Sequence, residues 1–204
     1  MLGEKRGQKG TGWSLFSGRK VNRLAGIWKR LAQRKGRGVP ICSVVIPAAG
    51  SSSRMEGIDK ILEPLGELPV LVRTLQVFQS CDLVHEVIVV TREDLIVPVS
   101  QLCRDFMLDK VTKVMVGGAE RVLSVRIGVQ EARRDAALIA IHDGARPLLS
   151  REVLEEVLKK AAVTGAAAPA IPMVDTIKRA ERGVVVETMD RSSLWAVQTP
   201  QVFE

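Results

Sequence analysis

The sequence predicts an α/β protein with a mostly parallel, twisted sheet and helices on both of its faces. Short apolar, β-branched runs alternate with segments of helical spacing between residues 41 and 162, a pattern typical of right-handed βαβ crossovers. Glycines and charged residues cluster just after several of these runs, where parallel sheets bind their ligands. The chain of 204 residues with 46% hydrophobic content is sufficient for one such domain.

Four apolar runs predict buried parallel strands. They are Ile41–Ile46, Glu86–Val90, Val111–Val116 and Ala137–Ile141. Helical spacing is found in the intervening segments, namely Val70–Phe78, the stretch around Leu102 and Phe106, and Val122–Arg133. A last helix is expected to begin at Ser150, a good N-cap residue, and to run through Ala162.

The residues after Ile171 change character and predict a projecting β-arm. Met173–Arg179 and Val184–Thr188 are short and β-prone, with Glu181-Arg182-Gly183 between them as a turn. We expect the arm to occupy about residues 172–199. Projecting arms of this kind are often oligomer contacts.

The positive charge of the chain is confined to its N-terminal part. Residues 1–38 contain 11 Lys and Arg against one Glu, a balance of +10, whereas the remainder carries −3. We therefore expect a flexible basic extension over 1–38 and a folded domain over 39–204. The interpretation favoured is a solvated extension, and the alternative is a tail that binds anionic lipid or nucleic acid.

The sequence supports neither a membrane-spanning protein nor one stabilised by disulfide bonds. The longest apolar candidate, Val163–Ile171, is far shorter than the roughly 20 residues that span a bilayer. Three cysteines, an odd number without metal-type spacing, are expected to be buried thiols in a reducing compartment. A cytoplasmic location is the corresponding prediction.

The loop after the first strand has the features of a phosphate site. It reads Pro47-Ala48-Ala49-Gly50-Ser51-Ser52-Ser53-Arg54-Met55, with Lys60 beyond it. Small side chains allow backbone N–H groups to approach an anion closely, and Arg54 and Lys60 are placed to neutralise a triphosphate. The loop is neither a Walker A loop nor a dinucleotide fingerprint. A Ser/Gly turn with incidental surface charges stays open as the alternative.

Later loops add a carboxylate and a glycine turn. Gly117-Gly118 ends the third strand, and His142-Asp143 ends the fourth. A carboxylate at the end of a strand is suited to hold Mg²⁺ or a hydroxyl group, although Asp143 is also a good loop-capping residue. For His142 a structural role at the strand end is favoured over a role as a base.

These motifs, taken together, resemble a known family. VIPAAGSSSRM followed by DK is similar to the opening motif of nucleotidyltransferases that activate sugars and alcohols. Four further signatures in the same order resemble 2-C-methyl-D-erythritol 4-phosphate cytidylyltransferases of the non-mevalonate isoprenoid pathway. They are GGAERVLSV, HDGARP, DTIK, and DR followed by LW and QTPQ. The resemblance runs from about Ile41 to the last residue.

The resemblance implies a Rossmann-like nucleotidyltransferase domain that moves CMP from CTP to 2-C-methyl-D-erythritol 4-phosphate, as a homodimer through the arm. The implied catalytic residues are Arg54, Lys60 and Asp143, with Asp143 at the Mg²⁺ ion. The implied CTP site consists of Ala48, Ala49, Gly50, Gly117, Gly118 and Ser124. The implied acceptor site consists of Arg146, Thr176 and Arg191, and the resemblance implies that the last two serve the site of the neighbouring subunit.

The expected chemistry suits these residue types. The acceptor's phosphate oxygen is already anionic at neutral pH, so no general base is required, and catalysis consists of alignment and charge neutralisation. Lysine, arginine, backbone N–H groups and a metal ion serve that purpose. The rival acceptor is ribitol 5-phosphate, handled by a related family with the same loop.

The chain departs from the family pattern at two places. Ser51-Ser52-Ser53 stands where relatives often have a glycine, and Asp59 stands where proline often precedes the lysine, which we expect to weaken the local positive field slightly. Relatives also continue past a motif matched near Glu204, with a late lysine of the acceptor site. The expectation is therefore a truncated chain, and an inactive remnant with a basic tail is a second alternative.

Overall fold

The computed structural model describes residues 14–16, 40–50 and 59–204. Most of the predicted basic extension and the part of the first loop that contains Arg54 lie outside the described residues. The strands are β1 (Ser14–Phe16), β2 (Cys42–Pro47), β3 (Pro64–Leu65), β4 (Leu68–Pro69), β5 (Glu86–Thr91), β6 (Val111–Val116), β7 (Leu138–Ile141), β8 (Ala166–Pro172), β9 (Lys178–Glu181), β10 (Val184–Thr188), β11 (Trp195–Val197) and β12 (Gln201–Phe203). The helices are α1 (Val70–Ser80), α2 (Ile96–Asp105), α3 (Arg121–Gln130) and α4 (Arg151–Thr164).

A mixed sheet in the order β1-β8-β12-β7-β2-β5-β6 forms the centre of the protein, with β11 also paired to β8. The four strands predicted from apolar runs, β7, β2, β5 and β6, are parallel to one another. The strands at the other edge, β12, β8, β11 and β1, pair in antiparallel fashion. The predicted α/β class is confirmed, and the antiparallel edge is an addition that the sequence pattern did not indicate.

Helices cover both faces of this sheet because alternate residues of each strand point to opposite sides. Val44 and Ile46 join the larger core, into which α1, α2 and α4 contribute buried side chains. Val45 faces the other side with Ile88 and Val90, where α3 lies. The interior of β2 and β5 is therefore apolar on both faces, as expected for parallel strands between two helical layers.

The helix α4 begins after Ser150 as the sequence predicts, and it ends at Thr164 rather than at the predicted Ala162. The Ser150 side chain accepts a hydrogen bond from the Val153 N–H at 3.3 Å. Gly165 ends the helix with a φ of 83°, a left-handed conformation that glycine adopts without strain.

The predicted arm is present as an exposed two-stranded hairpin of β9 and β10. Arg182 and Gly183 form its turn with positive φ angles of 50° and 81°, as a two-residue turn between twisted strands requires. A short 3₁₀ turn at Arg191–Ser193 and the strand β11 then return the chain to the sheet. Among the helices of the described residues, none has the length and apolar character needed to cross a bilayer.

Candidate active site

An open cleft of about 940 Å³ lies at the carboxyl ends of the parallel strands. The loops after β2, β5, β6 and β7 all contribute to its lining, in agreement with the general location of ligand sites in such sheets. Of the predicted site residues, the cleft is lined by Ala48, Ala49, Gly50, Lys60, Gly117, Gly118, Ser124, Asp143 and Arg146. The fold therefore brings together the described residues predicted for the nucleotide, and one of those predicted for the acceptor.

The loop after β2 is fixed to the neighbouring strand at its start. The Ala48 N–H donates to the Val90 carbonyl at 2.7 Å, and the Thr91 hydroxyl donates to the Ala48 carbonyl at 3.3 Å. The backbone that enters the predicted phosphate loop therefore has a defined position on β5. Arg54, predicted to neutralise the triphosphate, belongs to the residues outside the described part of the chain.

The glycine turn after β6 packs closely against this loop. A Cβ atom at Gly117 would lie 2.8 Å from the Ala49 Cβ and 2.7 Å from the Ser124 Oγ, closer than side chains tolerate. The Gly118 N–H donates to the Ser124 Oγ at 3.2 Å, and Ser124 is almost completely buried. Glycine at position 117 is thus required for the close approach of two loops that form one wall of the cleft.

Asp143 is held between two arginines. Its Oδ1 accepts hydrogen bonds from Nε and Nη2 of Arg121 at 2.9 and 2.7 Å, and its Oδ2 accepts one from Nε of Arg146 at 2.9 Å. Partial burial raises the pKa of Asp143, but the hydrogen bonds from both guanidinium groups outweigh this effect and lower the pKa below its ordinary value. The carboxylate is therefore ionised, and the three side chains together carry a net charge of +1.

The neighbouring His142 is a structural residue with both ring nitrogens bonded. Its Nε2 lies 3.1 Å from the Arg146 carbonyl oxygen, which only accepts, so Nε2 carries the proton. Nδ1 then accepts from the Thr199 hydroxyl at 3.0 Å, and the same Thr199 oxygen lies 3.5 Å from the Asp143 backbone N–H. Burial lowers the pKa of His142 to about 4. The neutral ring thus joins the 143–146 loop to Thr199, at the end of the segment predicted as the arm.

Comparison with known proteins identifies the family. The sequence profile of 2-C-methyl-D-erythritol 4-phosphate cytidylyltransferases matches residues 42–204. The chain belongs to this family. It is 44% identical over 163 residues to the Halalkalibacterium halodurans cytidylyltransferase of that name, covering 79% of this chain and 71% of the relative. The Symbiobacterium thermophilum enzyme is 47% identical over 170 residues, covering 82% and 70% of the two chains.

Solved structures of cytidylyltransferases share the fold. A crystal structure of a 4-diphosphocytidyl-2C-methyl-D-erythritol synthase has a TM-score of 0.68 and 32% identity, covering 82% of this chain and 76% of that one. The Thermus thermophilus 2-C-methyl-D-erythritol 4-phosphate cytidylyltransferase has a TM-score of 0.62 and 30% identity, covering 80% and 70%.

Two predicted acceptor residues of this cytidylyltransferase do not line the cleft. Thr176 and Arg191 are exposed on the arm, and Arg191 donates to the Val174 carbonyl at 2.7 Å. Within the described residues of one chain they are separate from the group around Asp143. Their predicted role at the site of a neighbouring subunit stays a prediction.

Two arginines in the cleft were missed by the sequence prediction of site residues. Arg121 begins α3 and bonds Asp143, and Arg92 follows β5 directly. The rule that ligands lie at the carboxyl ends of parallel strands applies to position 92 as well, and would have identified it. Arg121 stands in the GGAER motif but had no assigned role.

A second cavity among the described residues lacks the convergent charged groups needed to bind a nucleoside triphosphate. It measures about 710 Å³ and is lined by residues beside α1, including Leu65, Arg73 and Leu148. Its charged side chain, Arg73, donates to the Leu65 carbonyl at 2.5 Å. The cavity therefore lacks the convergent charged groups of the cleft.

Proposed function

We propose that this chain transfers CMP from CTP to 2-C-methyl-D-erythritol 4-phosphate, giving 4-diphosphocytidyl-2-C-methyl-D-erythritol and pyrophosphate for isoprenoid precursor synthesis. The observation that carries the proposal is a single cleft that combines a glycine-built wall, the Lys60 side chain and the Arg121–Asp143–Arg146 cluster. Membership of the family supports 2-C-methyl-D-erythritol 4-phosphate as the acceptor, so ribitol 5-phosphate is not favoured.

In the proposed reaction, an acceptor phosphate oxygen attacks the α-phosphorus of CTP. The new P–O bond forms as the bond between the α-phosphorus and the bridging oxygen breaks, and pyrophosphate leaves with that electron pair. No proton has to be removed from the dianionic nucleophile. The chain's own contribution is to align two anions and to offset their charge, with Lys60 and Arg54 at the triphosphate and Arg146 at the acceptor phosphate.

The cytosine and ribose are proposed to lie against the first loop and the glycine turn. Ala48, Ala49 and Gly50 of the first loop line the same wall of the cleft as Gly117, Gly118 and Ser124 of the glycine turn. We propose that the tight glycine turn, in which Gly117 packs closely against Ala49, leaves too little room for a purine base. Thr176 and Arg191 are proposed to contact the acceptor of the partner subunit.

Mg²⁺ is the proposed cofactor, with Asp143 as the carboxylate that would hold it together with the phosphates of CTP. Asp143 supplies one ionised carboxylate, while the described residues contain no cluster of three or more His, Cys, Asp and Glu side chains suited to a metal. Mg²⁺ is commonly held by one or two carboxylates together with substrate phosphates and water. When bound, the metal would neutralise charge on the phosphates of CTP.

Homodimerisation through the arm and a cytoplasmic location are part of the proposal. The β10 valines are exposed, Val184 at 65% and Val185 at 58%, and exposed apolar side chains of this kind are suited to contact a second copy. The three cysteines are buried and unpaired, as in reducing compartments.

The test is pyrophosphate release from CTP and Mg²⁺ with methylerythritol 4-phosphate and ribitol 5-phosphate offered in parallel. Release with the first acceptor alone supports the proposal, whereas release only with ribitol 5-phosphate would reassign the substrate. Absence of release with both acceptors in a folded sample would contradict the proposed activity of this chain.

Lys60→Ala provides the matching mutational test. We expect kcat to fall about 100-fold with the fold intact, because the lysine charge stabilises the transition state more than the bound nucleotide. Lys159→Ala is the control, since Lys159 pairs with Glu155 on α4 outside the cleft. Unchanged turnover in Lys60→Ala would remove this lysine from the mechanism.

A further inference from the structure

Arg92 makes the most extensive ion-pair contacts of the cleft outside the Asp143 cluster. Its guanidinium donates to both carboxylate oxygens of Asp59, from Nη1 at 2.6 Å and from Nη2 at 2.8 Å. It also donates to the two oxygens of Asp94 at 3.1 and 2.9 Å. Bidentate pairs of this geometry are among the strongest and best-oriented hydrogen-bonded contacts.

The ion pair between Arg92 and Asp59 fixes the turn that carries Lys60. The Asp59 carbonyl accepts the N–H groups of Leu62 and Glu63 at 2.8 and 3.2 Å, and the Ile61 carbonyl accepts the Leu71 N–H at 2.9 Å. The turn is therefore bonded to α1 on one side. Through Asp59 it is bonded on the other side to Arg92, directly after β5.

The Lys60 ammonium, in contrast, makes no hydrogen bond or ion pair with any described residue. The carboxylate next to it in sequence belongs to Asp59, and that carboxylate is occupied by Arg92. A carboxylate released from Arg92 would be attracted to the adjacent ammonium and would repel an incoming triphosphate.

We infer that Arg92 is a positioning residue for nucleotide transfer, which holds the Asp59 carboxylate so that the Lys60 ammonium is available to the triphosphate of CTP. The inference rests on the proposed function, because it concerns the same cleft and the same nucleotide. Arg92 compensates within this chain for an acidic residue placed next to the lysine of the site. It acts through Asp59 and Lys60 and needs no contact with the substrate.

The experiment compares Arg92→Ala, Asp59→Asn and the double variant. CTP binding with Mg²⁺ is measured by calorimetric titration of the full chain, together with KM and kcat and a thermal unfolding curve. Arg92→Ala is expected to weaken CTP binding about tenfold, because a negative charge is released beside a highly charged ligand. Asp59→Asn/Arg92→Ala is expected to recover wild-type affinity within about twofold, because the two effects are coupled.

Two further variants test the geometry. Arg92→Lys keeps the charge without the bidentate fork, so it should bind CTP with an affinity between those of wild type and Arg92→Ala. Asp94→Asn is the matched control, since it removes the other partner of Arg92 and leaves the Asp59 pair in place. Its CTP affinity should equal that of wild type.

The results separate this inference from the proposed function. A wild-type chain that fails to bind CTP would refute the proposed function. A wild-type chain that binds CTP, with Arg92→Ala binding equally well, would refute the inference alone. It would also be refuted if the double variant bound as weakly as Arg92→Ala, because a merely structural loss is not restored by removing the Asp59 charge.

Discussion

Acidification should destabilise this protein through His142. The ring is buried at 1% exposure, and burial lowers its pKa from an ordinary value of 6.5 to about 4. The unfolded chain therefore binds a proton as the pH falls through 6.5, whereas the folded chain does so only near 4, so stability is lost between these values. Linkage gives a decrease in the free energy of unfolding of about 2 kcal/mol between pH 7 and pH 5, and about 3 kcal/mol below pH 4.

The contribution is isolated by comparing urea unfolding of wild type and His142→Gln at pH 7 and pH 5. Glutamine does not titrate, so the variant should lack about 2 kcal/mol of the pH-dependent decrease, whatever its stability at pH 7. An equal decrease in wild type and His142→Gln would refute the assignment.

Two packing predictions concern the supports of the cleft. Phe78 is fully buried in α1, with its ring 5.2 Å from that of His142, so Phe78→Ala should cost about 3–5 kcal/mol in urea unfolding, and Phe78→Leu clearly less. A Cβ at Gly128 would lie 2.3 Å from a methyl group of Val45, so Gly128→Ala should cost about 1–3 kcal/mol. Val45→Ala removes that methyl group, so the double variant should be less destabilised than the sum of the two single changes; strict additivity would contradict the steric argument.

The parallel part of the fold was predictable because its strands are buried on both faces. Runs such as Glu86–Val90 are then continuously apolar, and the structure places β5 at Glu86–Thr91. The strand β8 was not predicted, since its sequence AAAPAIP has low intrinsic β-propensity. The strand β8 is instead stabilised by backbone pairing with β12, β11 and β1. Such pairing depends on distant segments that no local pattern identifies.

For the site, the sequence indicated which loops would converge but not how their charges would pair. Lys60 and Asp143 both line the cleft because the strand ends that their motifs follow meet at one edge of the sheet. Asp59 was expected to weaken the positive field there, and the structure instead shows its charge paired with Arg92. Residues 59 and 92 belong to different loops, so their contact is a property of the fold rather than of either motif.

The Arg121–Asp143–Arg146 cluster and the Asp59–Arg92 ion pair set the distribution of charge in the cleft before any ligand binds. Arg121 and Arg146 both donate to Asp143, so their mutual repulsion is offset while one net positive charge remains. Arg92 similarly offsets the charge of Asp59, the carboxylate that precedes Lys60 in the sequence. Groups that are already oriented need little reorganisation when charge develops on transferring phosphates. The acidic residues of this site therefore act together with its basic ones, since they hold the guanidinium groups in place and leave Lys60 without an ion-pair partner among the residues that the structure describes.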